Sequence, residues 1–241
     1  MKLPENKRRE NDAISKKKLW IYGSCFIGKS TFADKFPDAI FLNTDGNVNN
    51  ITSQYIAIKN YAKVEGRMTQ RIKAWDVFRE TILELEKKQN TYKTIVVDLL
   101  EDCYEHCRLF CYEKLGIEHE SDNALRAYDF VRSEFLNTIR CLVNLDYENI
   151  ILISQEDSSR DITKRSGEKF STIKPAIADK VALKIAGMVD LVARITNDGE
   201  KRCLNFRHNE YIFGGGRLSL PSYEIPLTYE ALNSLYTAKK G

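Results

Sequence analysis

The chain has 241 residues, 43% of them hydrophobic and 29% charged, and a formal net charge of +3. That length suits one large α/β domain or two small ones around a sizeable core, with the composition of an ordinary globular chain. So small a charge does not by itself indicate nucleic acid, and no run approaches the ~18 apolar residues of a membrane span, so no membrane partner and a cytoplasmic location are expected.

Residues 1–18 carry seven Lys or Arg and three acids with almost no apolar periodicity, and read as a flexible basic tail ahead of a single domain at 19–241. Leu19, Trp20, Ile21 and Tyr22 then form a short β-rich run. It feeds Gly23, Ser24, Cys25, Phe26, Ile27, Gly28, Lys29 and Ser30, which match G-x-x-x-x-G-K-[ST], the phosphate-binding P-loop. In that motif glycines let the backbone curl so that several N–H groups meet one phosphate, and the helix behind adds its positive N-terminal end. Lys29 is expected to reach the β- and γ-phosphates of ATP, and the Ser30 hydroxyl to ligate Mg2+, with Thr31 completing the nucleotide-binding set. The context agrees with the motif, since a helix is expected over 30–36, ended by Pro37.

Residues 40–45 form a second short strand ending in a carboxylate and closed by Gly46. Strand C-termini carry functional groups in open α/β sheets, so Asp45 is a catalytic candidate as well as a turn former. Residues 51–66 alternate loosely, as a strand with flanking loop would. A helix over 75–88 places Trp75, Phe78, Ile82 and Leu85 on one face. Ile95, Val96 and Val97 then lead to Asp98, the Walker B pattern, whose carboxylate holds a Mg2+-bound water. Leu99 follows where many AAA+ ATPases carry a second acid, so the water-activating carboxylate lies elsewhere, with Asp45 and Glu101 the candidates.

Helices are expected over 99–115 and 124–144. Cys103, Cys107 and Cys111 fall at i, i+4 and i+8 with His106 beside them, a spacing open to a metal but better read as one buried stripe with Leu100 and Leu115. All six cysteines are expected to be free thiols. Residues 149–155 are almost wholly apolar, as in a strand buried on both faces, and end on Gln155, placed to sense a γ-phosphate. Residues 156–174 are polar and aperiodic and read as a loop. Its Arg160, Lys164, Arg165, Lys169 and Lys174 suit nucleic-acid phosphates or a solvated surface. A helix over 176–187, a strand over 188–196, a hairpin turn at 197–200 into 201–207, a glycine loop at 214–217 and a helix over 228–235 complete the chain.

This order resembles the RecA-type ATPase core, and more narrowly the RecA-like phage ATPases that accompany single-strand annealing or recombination, often labelled AAA-family nucleotide-binding proteins. The resemblance spans 19–217 and rests on residues 23–30, Asp45, 95–98 and 150–155, with 174–180 leading into 188–194 as further support. It implies a mainly parallel sheet flanked by helices with a C-terminal β-hairpin extension, and Mg2+-dependent ATP hydrolysis. It also implies action on single-stranded DNA in phage-type recombination or replication, in the host cytoplasm. Lys29, Asp45, Asp98 and Gln155 would be the catalytic set, Asp45 standing where such enzymes usually carry Glu and Gln155 coupling the γ-phosphate to a DNA-binding loop at 156–174.

Implied partners are further copies of the chain in a ring or filament and a single-strand-binding or annealing protein. Such assemblies complete the site with a cation from the next subunit, for which Arg207 and Arg217 are the candidates. Two other classes fit the same motifs. One is a P-loop kinase of a nucleotide or small metabolite, with a lid at 160–165; the other is a nucleotide-gated nucleic-acid-binding module with negligible turnover. Phosphate released free or onto an acceptor separates the first two, and binding without turnover marks the third.

Overall fold

Runs of β-branched and aromatic residues with no polar face form the middle of one sheet. A computed structural model describes residues 5, 6, 16–118, 122, 124–163, 169–218, 220 and 222–237. Most of the basic tail, and Lys164 and Arg165, lie outside the described residues. Strands β1 (Lys17–Gly23), β2 (Ala39–Asn43), β3 (Gln54–Ala57), β6 (Thr94–Asp98), β7 (Asn149–Thr163) and β9 (Leu191–Asn197) run parallel. Antiparallel β10 (Arg202–Asn205) and β12 (Glu224–Pro226) extend one edge, giving the order β12-β10-β9-β1-β7-β6-β2-β3. This is the expected mainly parallel sheet with an antiparallel C-terminal extension.

Both faces are covered, which is why the central strands are apolar through their middles. On one face Trp20, Tyr22, Leu42, Val97 and Leu152 pack under α2 (Ala74–Glu86), α3 (Leu100–Leu115), α4 (Ala124–Val143) and α5 (Asp179–Ala186). On the other, Leu19, Ile21, Phe41, Val96 and Ile151 pack under α1 (Lys29–Ala33) and α6 (Tyr229–Thr237). The cysteine stripe of α3 is buried in the first of these cores, with Cys107 Sγ 3.8 Å from the Val131 carbonyl of α4. Among the described residues no three His, Cys, Asp or Glu side chains are grouped to hold a metal.

Five expectations need correction. Helix α1 ends at Ala33 rather than continuing to residue 36, because the Lys35 and Phe36 N–H groups tighten onto carbonyls three residues back, ahead of Pro37. The loosely alternating 51–66 segment holds β3 and then half of a separate hairpin, β4 (Tyr61–Glu65) with β5 (Met68–Ile72). The described residues of the polar 156–174 stretch form strands rather than a loop: β7 runs on to Thr163 and pairs antiparallel with β8 (Lys169–Pro175). The glycine loop is partly a strand, β11 (Gly215–Gly216), laid against β9, and a Cβ on Gly216 would stand 2.6 Å from the Asp190 carbonyl oxygen. Strand β1 also begins at Lys17, inside the expected tail, and the Lys18 N–H donates to the Asp190 carboxylate at 2.9 Å.

The parallel direction fixes where chemistry gathers. The P-loop after β1, Asp45 after β2, Asp98 ending β6 and Gln155 within β7 share the carboxyl edge of the sheet, the side on which open α/β sheets bind ligands. Both hairpin arms leave from the same edge.

Candidate nucleotide site

Sharp curvature between β1 and α1 is made by glycine. Gly28 caps α1 at φ 100, a left-handed conformation that other residues resist, and a Cβ there would lie 2.7 Å from Arg202 Nη1. Phe26 stands at the outer turn of the loop, 95% exposed. Lys29 folds back beneath it. Although only 6% exposed, its ammonium is satisfied, donating to the Gly23 and Ser24 carbonyls, each at 2.9 Å, and to Gln155 Oε1 at 2.8 Å. Burial draws its pKa below the usual lysine value, against the nearby charges of Cys25, Glu101 and Asp98.

Ser30 Oγ donates to Asp98 Oδ2 at 2.6 Å, joining the P-loop to the Walker B strand. Burial pushes the Asp98 carboxyl up to about 6; the Ser30 hydrogen bond opposes that rise, and the Asp45 charge adds to it. A hydroxyl and one carboxylate fit Mg2+, which favours oxygen and retains water and phosphate oxygens rather than demanding a full protein cage. The residues present therefore suit that ion.

The two water-activating candidates occupy different places. Asp45 is exposed, and its Oδ1 accepts from Asn43 Nδ2 and from the Asn47 N–H, each at 2.9 Å, which makes it the pivot of the turn after β2. Glu101, in the first turn of α3, accepts the Gln155 N–H at 2.6 Å through Oε1, with the Ser154 hydroxyl beside its carboxylate and Oε2 buried. Burial lifts its carboxyl to about 7. Gln155 thus touches Lys29 through its side chain and Glu101 through its backbone.

From Gln155 the chain enters the arm directly. Glu156 accepts from Arg194 of β9 at 2.8 and 3.0 Å. Tyr22 of β1 donates to the Phe213 carbonyl at 2.5 Å; Phe213 N–H in turn donates to the Ile173 carbonyl of β8 at 3.0 Å. Phe170 of β8 stacks on Tyr211 with centroids 4.8 Å apart. Of the cations assigned to nucleic acid, Arg160 and Lys169 lie on the arm's backbone, while Lys174 at its base pairs with Asp179 and is only 14% exposed.

Neither arginine proposed as a subunit-crossing cation touches the P-loop in this chain: Arg217 donates to the Gly187 carbonyl, and Arg207 is exposed. The arginine against the loop is Arg202 of β10. With Thr31, Phe32, Lys35 and Leu227 it lines a cleft of about 490 Å³ running off Gly28. No motif announces it, because antiparallel pairing of β10 on β9 brings it there.

The model for an AAA domain family matches residues 15–218. The chain belongs to that AAA domain family. Domains of this kind bind nucleotide and are usually ATPases. Among solved structures this AAA domain is similar to the RadB recombinase, at 13% identity over 81% of this chain and 82% of that one, with a TM-score of 0.41. It is also similar to the flagellar accessory protein FlaH from Methanocaldococcus jannaschii, at 11% identity over 78% and 75%, with a TM-score of 0.35. Likenesses at this level do not bear on function. No curated protein matches the chain. Among the described residues, no helix is long and apolar enough to cross a membrane.

Proposed function

We propose that this AAA domain hydrolyses Mg2+-bound ATP and couples that step to single-stranded DNA held by the β7–β8 arm. One observation carries the reading: a single strand contains both Gln155, at 2.8 Å from the P-loop lysine, and the polar arm that follows it. Lys29 turns from the Gly23 and Ser24 carbonyls to the phosphates, exchanging neutral acceptors for charged ones. Ser30 and Asp98, now hydrogen-bonded to each other, would hold Mg2+, and the ion would offset phosphate charge when bound.

Glu101 orients the attacking water through its buried carboxylate, a role its pKa of about 7 suits, while Asp45 shapes the rim. Once Lys29 leaves Gln155 Oε1, the glutamine is released to report the γ-phosphate to the arm. The cleft beside Arg202 takes the nucleoside. Assembly into a ring or filament in recombination or replication, with exposed Arg207 offered to a neighbouring site, extends the same proposal.

The test is phosphate release from ATP with and without a single-stranded oligonucleotide. Stimulated release that vanishes in Lys29→Ala supports the reading. Release indifferent to DNA, or phosphate appearing only on an added acceptor, overturns it.

A further inference from the structure

The β4–β5 hairpin stands outside both layers of the fold. It leaves the carboxyl end of edge strand β3 and pairs only with itself, from Tyr61 opposite Ile72 to Glu65 opposite Met68, turning on Gly66 at φ 63. Every residue of its two strands except Ile72 is exposed, including Val64 at 67% and Met68 at 78%. A two-stranded ribbon with no packed face is marginal in water, so a partner is the natural source of its order. Its foot is fixed: Asn60 Oδ1 accepts the Ala74 N–H at 2.8 Å, and Lys73 pairs with Glu113 of α3 at 2.9 Å.

Charge says what that partner is. Residues 59–73 contain five cations, Lys59, Lys63, Arg67, Arg71 and Lys73, against the single acid Glu65. Lys63 pairs with Glu65 at 2.6 Å, but Lys59, Arg67 and Arg71 have no ion-pair partner among the described residues. Alternation along the strands sets Lys63 on the face shared by Tyr61 and Met68, and Arg71 on the opposite face with Ala62 and Val64. Arg67 lies in the turn itself. Cations on both faces and at the tip exceed what a flat, one-sided partner uses. The major groove of duplex DNA, about 12 Å wide, admits a two-stranded ribbon and lines both of its sides with phosphates.

We propose that the β4–β5 hairpin is a second nucleic-acid arm, which enters the major groove of duplex DNA and holds the two phosphate walls through Lys63, Arg67 and Arg71. The contact is electrostatic and independent of base sequence. It goes beyond the ATPase reading and does not rest on it, because groove binding needs no nucleotide turnover.

The test uses the full chain, a labelled duplex of about 30 base pairs and the matching single strand, with anisotropy read across a salt series. The K63Q/R67Q/R71Q variant is expected to lose at least about tenfold in duplex affinity and to flatten the salt slope by about 0.9 for each lost phosphate contact, while keeping its affinity for the single strand. Replacement of residues 61–72 by two glycines should reproduce the loss, and K87Q, just past the end of α2, should not. Thermal unfolding verifies that each variant is folded. An unchanged duplex slope in both hairpin variants, or equal losses on duplex and single strand, overturns the proposal. Absence of ATP turnover in the wild type would sink the ATPase reading and leave this measurement standing.

Discussion

Two hairpin arms leave the same edge of the sheet and are held in opposite ways. The β7–β8 arm continues a central strand, and its base is tied by the Glu156–Arg194 pair and by the Tyr22–Phe213–Ile173 chain of hydrogen bonds. The β4–β5 arm hangs from edge strand β3 and is fixed only at its foot. Rigid connection to a strand that also carries Gln155 allows an arm to feel the nucleotide. A free-standing arm provides charge without that connection. On the proposed reading, nucleotide-dependent behaviour is assigned to the first arm and nucleotide-independent binding to the second.

The largest expected effect comes from removing the site that distinguishes them. Lys29→Ala should cut ATP hydrolysis at least about 1,000-fold and abolish DNA stimulation, with duplex binding through β4–β5 retained. Next is the choice of water activator: Glu101→Gln is expected to lower kcat at least about 100-fold with ATP affinity kept, and Asp45→Asn to lower it less than about fivefold. Single-turnover kinetics with filter binding separates the two, and the reverse ranking would return the role to Asp45. Gln155→Ala should leave hydrolysis within about tenfold of wild type but remove its response to single-stranded DNA. A DNA response that survives this change breaks the link between strand and arm.

The smallest effect is on stability. The folded carboxyls of Asp98, at about 6, and Glu101, at about 7, lie above their ordinary values of 3.8 and 4.5. The folded state then holds the extra protons, so their contribution is full below about pH 4 and is lost as pH rises through 6 and 7, on the order of 3 kcal/mol each. Glu101→Gln should narrow the fall in Tm between about pH 5 and pH 8 by several degrees, read by calorimetry without nucleotide. An unchanged gap would mean that the carboxyl is not strained by burial.

What was legible in the sequence follows the same division. The P-loop and Asp98 could be read because they sit at the ends of strands whose burial forces an apolar run, and Gln155 because the apolar run of β7 stops just short of it. The arms could not. The β4–β5 ribbon is exposed on both faces and has no buried side to force alternation, so residues 61–72 gave only the loose pattern read over 51–66, while residues 156–163 passed for loop because they are polar. Arg202 was hidden for another reason, since its place beside Gly28 depends on pairing across β9 and β10. Glu101 was visible as an acid near Asp98, but proposing it over Asp45 needed the Gln155 backbone, which the parallel register of β6 and β7 brings near.

The central claim is that the nucleotide site and the β7–β8 arm are one mechanical unit joined at Gln155. It is tested most directly by phosphate release from Mg2+-bound ATP, with and without single-stranded DNA, in the wild type and in Gln155→Ala. Stimulation is expected in the wild type and none in the variant, with basal turnover persisting in both. Equal stimulation in the two proteins, or none in the wild type, would contradict it.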